Sequence, residues 1–423
     1  MQYTCSVIFK ELMGVDHAIT IDSEEFRSFD GPKINYSDSP IPGNGLWIKN
    51  HRLLFEELVI PQELHCFVFN DTKAFFRTAS PDIPFDIFAA SFYLVSRYEE
   101  YLPHEKDNYG RYAHSNSLAF KEDFLDQPLV NLWIKELAKL LQQRFPSFQY
   151  SFPSFGYQPT YDIDIAYAYR GKGLYRNLGG FFRSPSTARI SVLLGSGTDP
   201  FDSYNWMDGL HEQHHLEPIY FFLVAEKNSQ YDKNILPHKN EMWELVKRHA
   251  KKYKIGLHPS WQSGDDASLL QKEKEQLEAM MQEAGMDKHQ GLTLSRQHYI
   301  RFNLPRTYQQ LIAAGITEDH SMGYGSINGF RASVASPFYW YDLEREEQTS
   351  LRVHPFCFME ANSFYEQKQT PEQALAEMLR YYKACKKANG RMITIWHNNF
   401  LGTGNDFAGW REAYTRFIAQ VQQ

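Results

Sequence analysis

The chain has 423 residues with 44 basic and 51 acidic side chains, a formal net charge of −7 that gives no electrostatic case for binding nucleic acid. Apolar residues make up 43% and aromatics 15%, enough for large buried cores in two or three domains, which excludes global disorder. No run of about 18 uncharged apolar residues occurs, so a membrane span is not expected.

The cysteines Cys5, Cys66, Cys357 and Cys385 are scattered without C-x-x-C spacing, which argues for free thiols in a reducing compartment and against a thiolate zinc site. Residues 1–30 contain Glu11, Asp16, Asp22, Glu24 and Glu25 and lack the basic start and apolar run of an export signal, so a cytoplasmic location is expected. Nothing in the sequence specifies an oligomeric state.

The first well-marked element is a helix from Pro128 to Leu141, with Leu129, Trp133, Leu137 and Leu141 at helical spacing. The proline, serine and glycine punctuation of Phe145 to Gly156 places a junction near residue 150. It separates a smaller α+β N-terminal domain, residues 1–150, from a second domain, residues 151–423. Tyr161–Tyr167, Ile190–Leu194, Ile219–Val224, Ile255–His258 and Met392–His397 read as strands. Helices are expected at Asp266–Gly285 and after Thr370, where Thr370, Pro371 and Gln373 supply an N-cap, a first-turn proline and a capping glutamine. Such alternation implies an α/β domain on a parallel sheet, open or closed into a barrel.

Four strand ends carry chemistry. Side chains alternate along Pro159–Tyr167, so Tyr161, Ile163 and Ile165 point one way while Asp162 and Asp164 share the other face, about 7 Å apart. Two carboxylates facing one space are costly without a cation, which points to a metal or acid/base site; the alternative is an edge strand whose aspartates face water. Lys254–Trp261 ends an apolar strand at His258, where parallel folds place ligands, unless that histidine is a core residue. Thr293–Phe302 brings Arg296, His298 and Arg301 to a third strand end, or else onto a solvated surface strand. Met392–Phe400 delivers His397 into a turn with Asn398 and Asn399. The joint occurrence of D-x-D and three strand-ending histidines favours one shared site over coincidence. Among Tyr204, Trp206, Trp261, Phe338, Tyr339, Trp340 and Tyr341, most are expected in the core and a few along a saccharide groove. The loops Asp199–Asp202 and His354–Phe356 are further candidates for substrate contact. Glu99 and Glu100 read as a solvated or structural pair.

These motifs resemble those of the polysaccharide deacetylase family, the NodB-homology carbohydrate esterases of family 4, over residues 155–423. Thr160-Tyr-Asp162-Ile-Asp164 is similar to the opening T-F/Y-D-D motif with one extra residue. Leu257–Trp261 matches the second motif and keeps one histidine, with Gln262 where the second is due. Ser295–Tyr299 lies where the third motif is expected, so that His298 replaces the missing imidazole, and Gly329–Ser333 offers Arg331 for the same motif. Ile395–His397 corresponds to the closing motif.

The resemblance implies an irregular (β/α)7 barrel with one divalent metal ion, zinc with nickel or cobalt as alternatives, held by Asp164, His258 and His298. It implies Asp162 as the base, His397 as the acid, and Arg296 or Arg331 as the charge partner of Asp162. The implied activity is removal of N-acetyl groups from an amino sugar or polysaccharide intermediate. The missing motif histidine motivates an alternative, a catalytically silent descendant that binds a saccharide or a partner protein. A phosphoesterase would call for a second metal and a cationic clamp, and the sequence offers no dense cluster of that sort.

Overall fold

A computed structural model describes residues 1–172, 187–287 and 291–421. The chain forms two compact units. The first comprises Met1–Gly156 with Gly329–Pro355 and Lys383–Met392, and the second comprises Tyr157–Asn328, Phe356–Tyr382 and Ile393–Gln423. Residues 329–355 and 383–392, beyond the junction expected near residue 150, therefore group with the first unit.

The first unit is organised on the helix Leu129–Arg144, whose Leu129, Trp133, Leu137 and Leu141 recur on one buried face. Trp133 packs edge-on against Phe75 and Phe85, and its indole N–H donates to the Lys73 carbonyl at 2.9 Å. A parallel pair, Ile34–Tyr36 with Leu46–Ile48, and two antiparallel pairs, Phe67–Phe69 with Thr72–Ala74 and Phe338–Asp342 with Glu347–Val353, complete it. Glu99 and Glu100 are buried rather than solvated: Arg97 donates to both, and Arg331 makes a two-pronged contact with Glu100 at 2.8 and 2.6 Å. Burial alone pushes the Glu100 carboxyl up, but Arg331 and Arg97 hold it down to about 2.

The second unit is an α/β body on a parallel-rich sheet. Its strands are β1 (Gly156–Ile163), β2 (Ile219–Phe222), β3 (Lys254–Leu257), β4 (Leu294–Ser295), β5 (Glu318–Asp319), β6 (Phe358–Met359) and β7 (Arg391–His397). They lie in the order β5-β4-β3-β2-β1-β7-β6. Adjacent strands from β1 to β5 pair in parallel, as do β6 and β7. β1 has a neighbour on each side, which removes the edge-strand alternative for its aspartates. The β2 sequence Ile-Tyr-Phe-Phe is wholly buried, as a strand covered on both faces requires.

One expected strand is a helix instead. Ile190 and its neighbours lie in the helix Thr187–Leu193, and Ile190, Leu193 and Leu194 are 45%, 47% and 77% exposed, which a strand of this doubly covered sheet would not allow. A short apolar run fits either period, and the stretch has no strand partner among the described residues. The helices Ala267–Glu283 and Pro371–Lys387 form as expected, the first capped by Asp266 and the second by a reciprocal Thr370–Gln373 box. No described helix is long and apolar enough to cross a membrane. All four cysteines carry free thiols.

Candidate metal centre

Register brings the site together. In the parallel ladder Ile163 faces Phe222, Phe222 faces Leu257, and Leu257 faces Ser295. The next residue along β1, β3 and β4 is Asp164, His258 and Arg296, so three strands release their polar groups at one level. β7 lies beside β1, and Thr160 Oγ1 donates to the Thr394 carbonyl at 2.6 Å, which sets His397 at the same end. Past Asp164, Asn398 donates to the Ile165, Ala166 and Phe201 carbonyls and pins that loop next to His397.

Three imidazoles converge on the Asp164 carboxylate. His258 Nε2 lies 3.0 Å from Oδ1, and the Nε2 atoms of His298 and His397 lie 3.4 and 3.3 Å from Oδ2. Each ring is held from behind by an accepting oxygen, and the Glu360 oxygen behind His397 also takes the His397 backbone N–H at 2.6 Å. His258 Nδ1 meets the Arg296 carbonyl at 2.6 Å, His298 Nδ1 meets Asp232 Oδ1 at 3.0 Å, and His397 Nδ1 meets Glu360 Oε1 at 2.7 Å. In all three rings Nδ1 therefore carries the hydrogen, and Nε2 is the atom presented to Asp164.

The buried charges shift one another. Burial pushes the Asp164 carboxyl up, yet His298, His397 and His258 outweigh it and hold it well below the usual carboxylate range. Burial lowers His298, but Asp164 and Asp232 together raise it to about 9. His397 is likewise raised against burial, by Glu360 and then Asp164. Glu360 itself is raised by burial.

One ligand atom from each of Asp164, His258 and His298 lies within 4.8 Å of the others, the spacing of a set that could share an ion. The fit has support in the hydrogen bonding. Asp164 Oδ1 is buried and receives no hydrogen bond, although His258 Nε2 stands 3.0 Å away, so the contact lacks the direction of a donor–acceptor pair. Backbone and carboxylate acceptors behind ligand imidazoles are the usual outer partners of a metal-binding histidine. Two nitrogens and an oxygen suit a divalent transition metal, zinc included.

Asp162 lies at the rim of this group, its Oδ2 3.9 Å from His258 Nε2. Arg296 donates from one guanidinium nitrogen to Asp162 Oδ1 at 2.8 Å and to Thr160 Oγ1 at 2.7 Å, and from Nε to the His320 carbonyl at 3.0 Å. The guanidinium lies over the Phe221 ring at 4.3 Å. Gly256 leaves the space for that ring, since a Cβ there would collide with Phe221. Arg331 belongs to the first unit and donates to Glu100. Of the two arginines considered, Arg296 is thus the partner of Asp162.

Other expectations resolve individually. Arg301 turns to Asp265 and the Trp261 ring. Asp199 is buried and accepts backbone N–H groups of Ala168, Tyr169, Arg170 and Phe201, so it shapes a loop instead of presenting a carboxylate. Tyr204, Phe338 and Trp340 are core residues. Glu360 and Asp232 were not singled out from the sequence. Glu360 follows a two-residue strand too short to show a period, and Asp232 lies in an irregular stretch; the one cue was position, since Glu360 ends its strand as His258 and His397 do.

Residues 1–146 match a model described as a family of unknown function, DUF7033. No curated protein matches the chain. Solved structures with some similarity include one named as a polysaccharide deacetylase from Mycobacterium smegmatis, at 15% identity over 64% of this chain and 84% of that one, with a TM-score of 0.42. A 4-alpha-glucanotransferase from Thermococcus litoralis is similar at 11% identity over 64% of this chain and 38% of its own, TM-score 0.37. A family 4 carbohydrate esterase pseudoenzyme from Bacillus anthracis is similar at 8% identity over 64% and 61%, TM-score 0.33.

Proposed function

We propose that this chain is a metal-dependent hydrolase that removes N-acetyl groups from an amino sugar or a polysaccharide intermediate. The observation that carries the reading is the convergence of His258 and His298 Nε2 on Asp164, with Asp162 and His397 flanking them. A divalent ion held by Asp164, His258 and His298, zinc with nickel and cobalt as alternatives, supplies Lewis acidity toward a carbonyl and makes water easier to deprotonate.

Asp162, held by Arg296, accepts the proton of the attacking water. The water oxygen bonds to the acetamide carbon, and the C–N bond breaks as the amine nitrogen gains a proton. His397 is the donor of that proton: Glu360 fixes its ring from the Nδ1 side and favours its charged form. Arg296 aims Asp162 by donating to its Oδ1, which leaves Oδ2 for the water. The reading carries with it a carbohydrate substrate, an irregular (β/α)7 barrel for the second unit, an accessory role for the first, and a biosynthetic intermediate met in the cytoplasm.

The test is acetate release from N-acetylglucosamine oligomers by the full chain supplemented with zinc, cobalt or nickel. Release is expected, and Asp162→Asn is expected to lose roughly 100-fold or more while retaining the ion, the scale of a missing general base. No release from any acetylated amino sugar by metal-loaded protein would favour the silent saccharide-binding alternative. Full activity in Asp162→Asn would remove the base assignment.

A further inference from the structure

The stretch from Ser229 to Ile235, between β2 and the helix Asn240–Ala250, belongs to no helix or strand, yet it reaches every loop that bears a candidate ligand. Asp232 is fully buried. Its Oδ1 accepts the Nδ1–H of His298 at 3.0 Å and the backbone N–H of Trp261, three residues past His258, at 2.9 Å. Its Oδ2 accepts the Ser229 hydroxyl at 2.9 Å. Two residues on, Asn234 is also buried, and its Nδ2 donates to the Ile163 carbonyl at 2.7 Å and to the Leu223 carbonyl at 2.9 Å. Its Oδ1 accepts the Ala166 N–H at 2.9 Å. Asn234 thus grips the backbone on both sides of Asp164, which Ile163 precedes and Ala166 follows.

We propose that Asp232 and Asn234 are positioning residues that form one clamp, presetting His298 and Asp164 for a shared divalent cation. The proposal rests on the metal reading of the site. It concerns residues that lie outside every motif singled out in the sequence, and it explains how a histidine from the β4 end stands in where Gln262 occupies the expected place. A carboxylate only accepts, so Asp232 holds a hydrogen on His298 Nδ1 and leaves Nε2 as the atom aimed at the cation. An amide at that position has the same shape but no charge, and its NH2 can turn toward Nδ1 and drive the hydrogen to Nε2, which blocks the ligand atom. Asn234 acts through backbone instead: its amide bridges the Ile163 carbonyl beside Asp164 to the Leu223 carbonyl at the end of β2. Ligands ordered at folding need not be ordered at binding, so the clamp acts on affinity.

The experiment measures zinc affinity of the full chain by competition with a chromogenic chelator, and the visible absorption of the cobalt form. The wild type is expected to bind one equivalent. Asp232→Asn is expected to bind roughly 10- to 100-fold more weakly, the usual effect of losing a partner behind a ligand histidine, with an altered cobalt spectrum. Ser229→Ala, which leaves both Oδ1 contacts in place, is expected to bind as the wild type does. If Asp232→Asn does not fold, Asn234→Ala decides through the same two readouts. Equal affinity and an identical cobalt spectrum in wild type and variant overturn the clamp alone, whereas a wild type that binds neither ion overturns the metal reading beneath it.

Discussion

Replacing Arg296 by methionine isolates the buried charge pair that holds Asp162. Arg296 is fully buried, and methionine fills a similar volume against Phe221 but deletes three donations, to Asp162, Thr160 and the His320 carbonyl. Asp162 is 2% exposed and is left as a carboxylate without its cation. Breaking a buried pair from one side costs about 3–5 kcal/mol, roughly a hundred- to several-thousand-fold in the folding equilibrium. Removing both charges with Asp162→Asn and Arg296→Met is expected to cost less than Arg296→Met alone, a coupling of about 2 kcal/mol or more, because the unpaired ion is the expensive species. Urea unfolding followed by tryptophan fluorescence measures both variants. If the double variant is as unstable as Arg296→Met, or less stable, the charge argument is wrong and Arg296 acts through packing.

Two predictions concern acid. Burial raises the Glu100 carboxyl, but Arg331 and Arg97 hold it down to about 2 from 4.5, so the unfolded chain takes up a proton first and the first unit loses stability as pH falls from 4.5 toward 2. The full loss is about 3 kcal/mol at 1.36 kcal/mol per unit, and Glu100→Gln is expected to flatten the pH dependence of unfolding between pH 5 and 3. His249 is the opposite type, a histidine that burial lowers to about 4 from 6.5 and whose Nδ1 donates to the Leu245 carbonyl. Its neutral form fits the fold, so its contribution is present above pH 6.5 and is lost as pH falls toward 4. Melting temperatures from pH 7.5 to 4.5 are expected to fall less steeply in His249→Leu than in the wild type, and identical slopes would refute the assignment.

The sequence was most legible where period and partner agree. The helices Leu129–Arg144 and Pro371–Lys387 announce themselves by apolar spacing and caps, and the β1, β3 and β7 ends carry Asp162, Asp164, His258 and His397, the first two legible from alternation and the histidines from strand ends. The helix containing Ile190 is not legible in the sequence, because a short branched run fits both periods and its exposure is a tertiary fact. The choice between Arg296 and Arg331 was closed to sequence for a similar reason. Both sit in motif-like surroundings, and only their carboxylate partners, Asp162 for Arg296 and Glu100 for Arg331, separate them. Asp232 and Glu360 act through another side chain, and that relation leaves no spacing to read.

The most direct measurement is the metal content of the full chain after supplementation and exhaustive dialysis, compared with Asp164→Asn. One equivalent of a divalent ion in the wild type and none in the variant is the predicted result, because Asp164 is the carboxylate on which His258, His298 and His397 all converge. A wild type that retains no ion, or an Asp164→Asn protein that retains a full equivalent, would contradict the account.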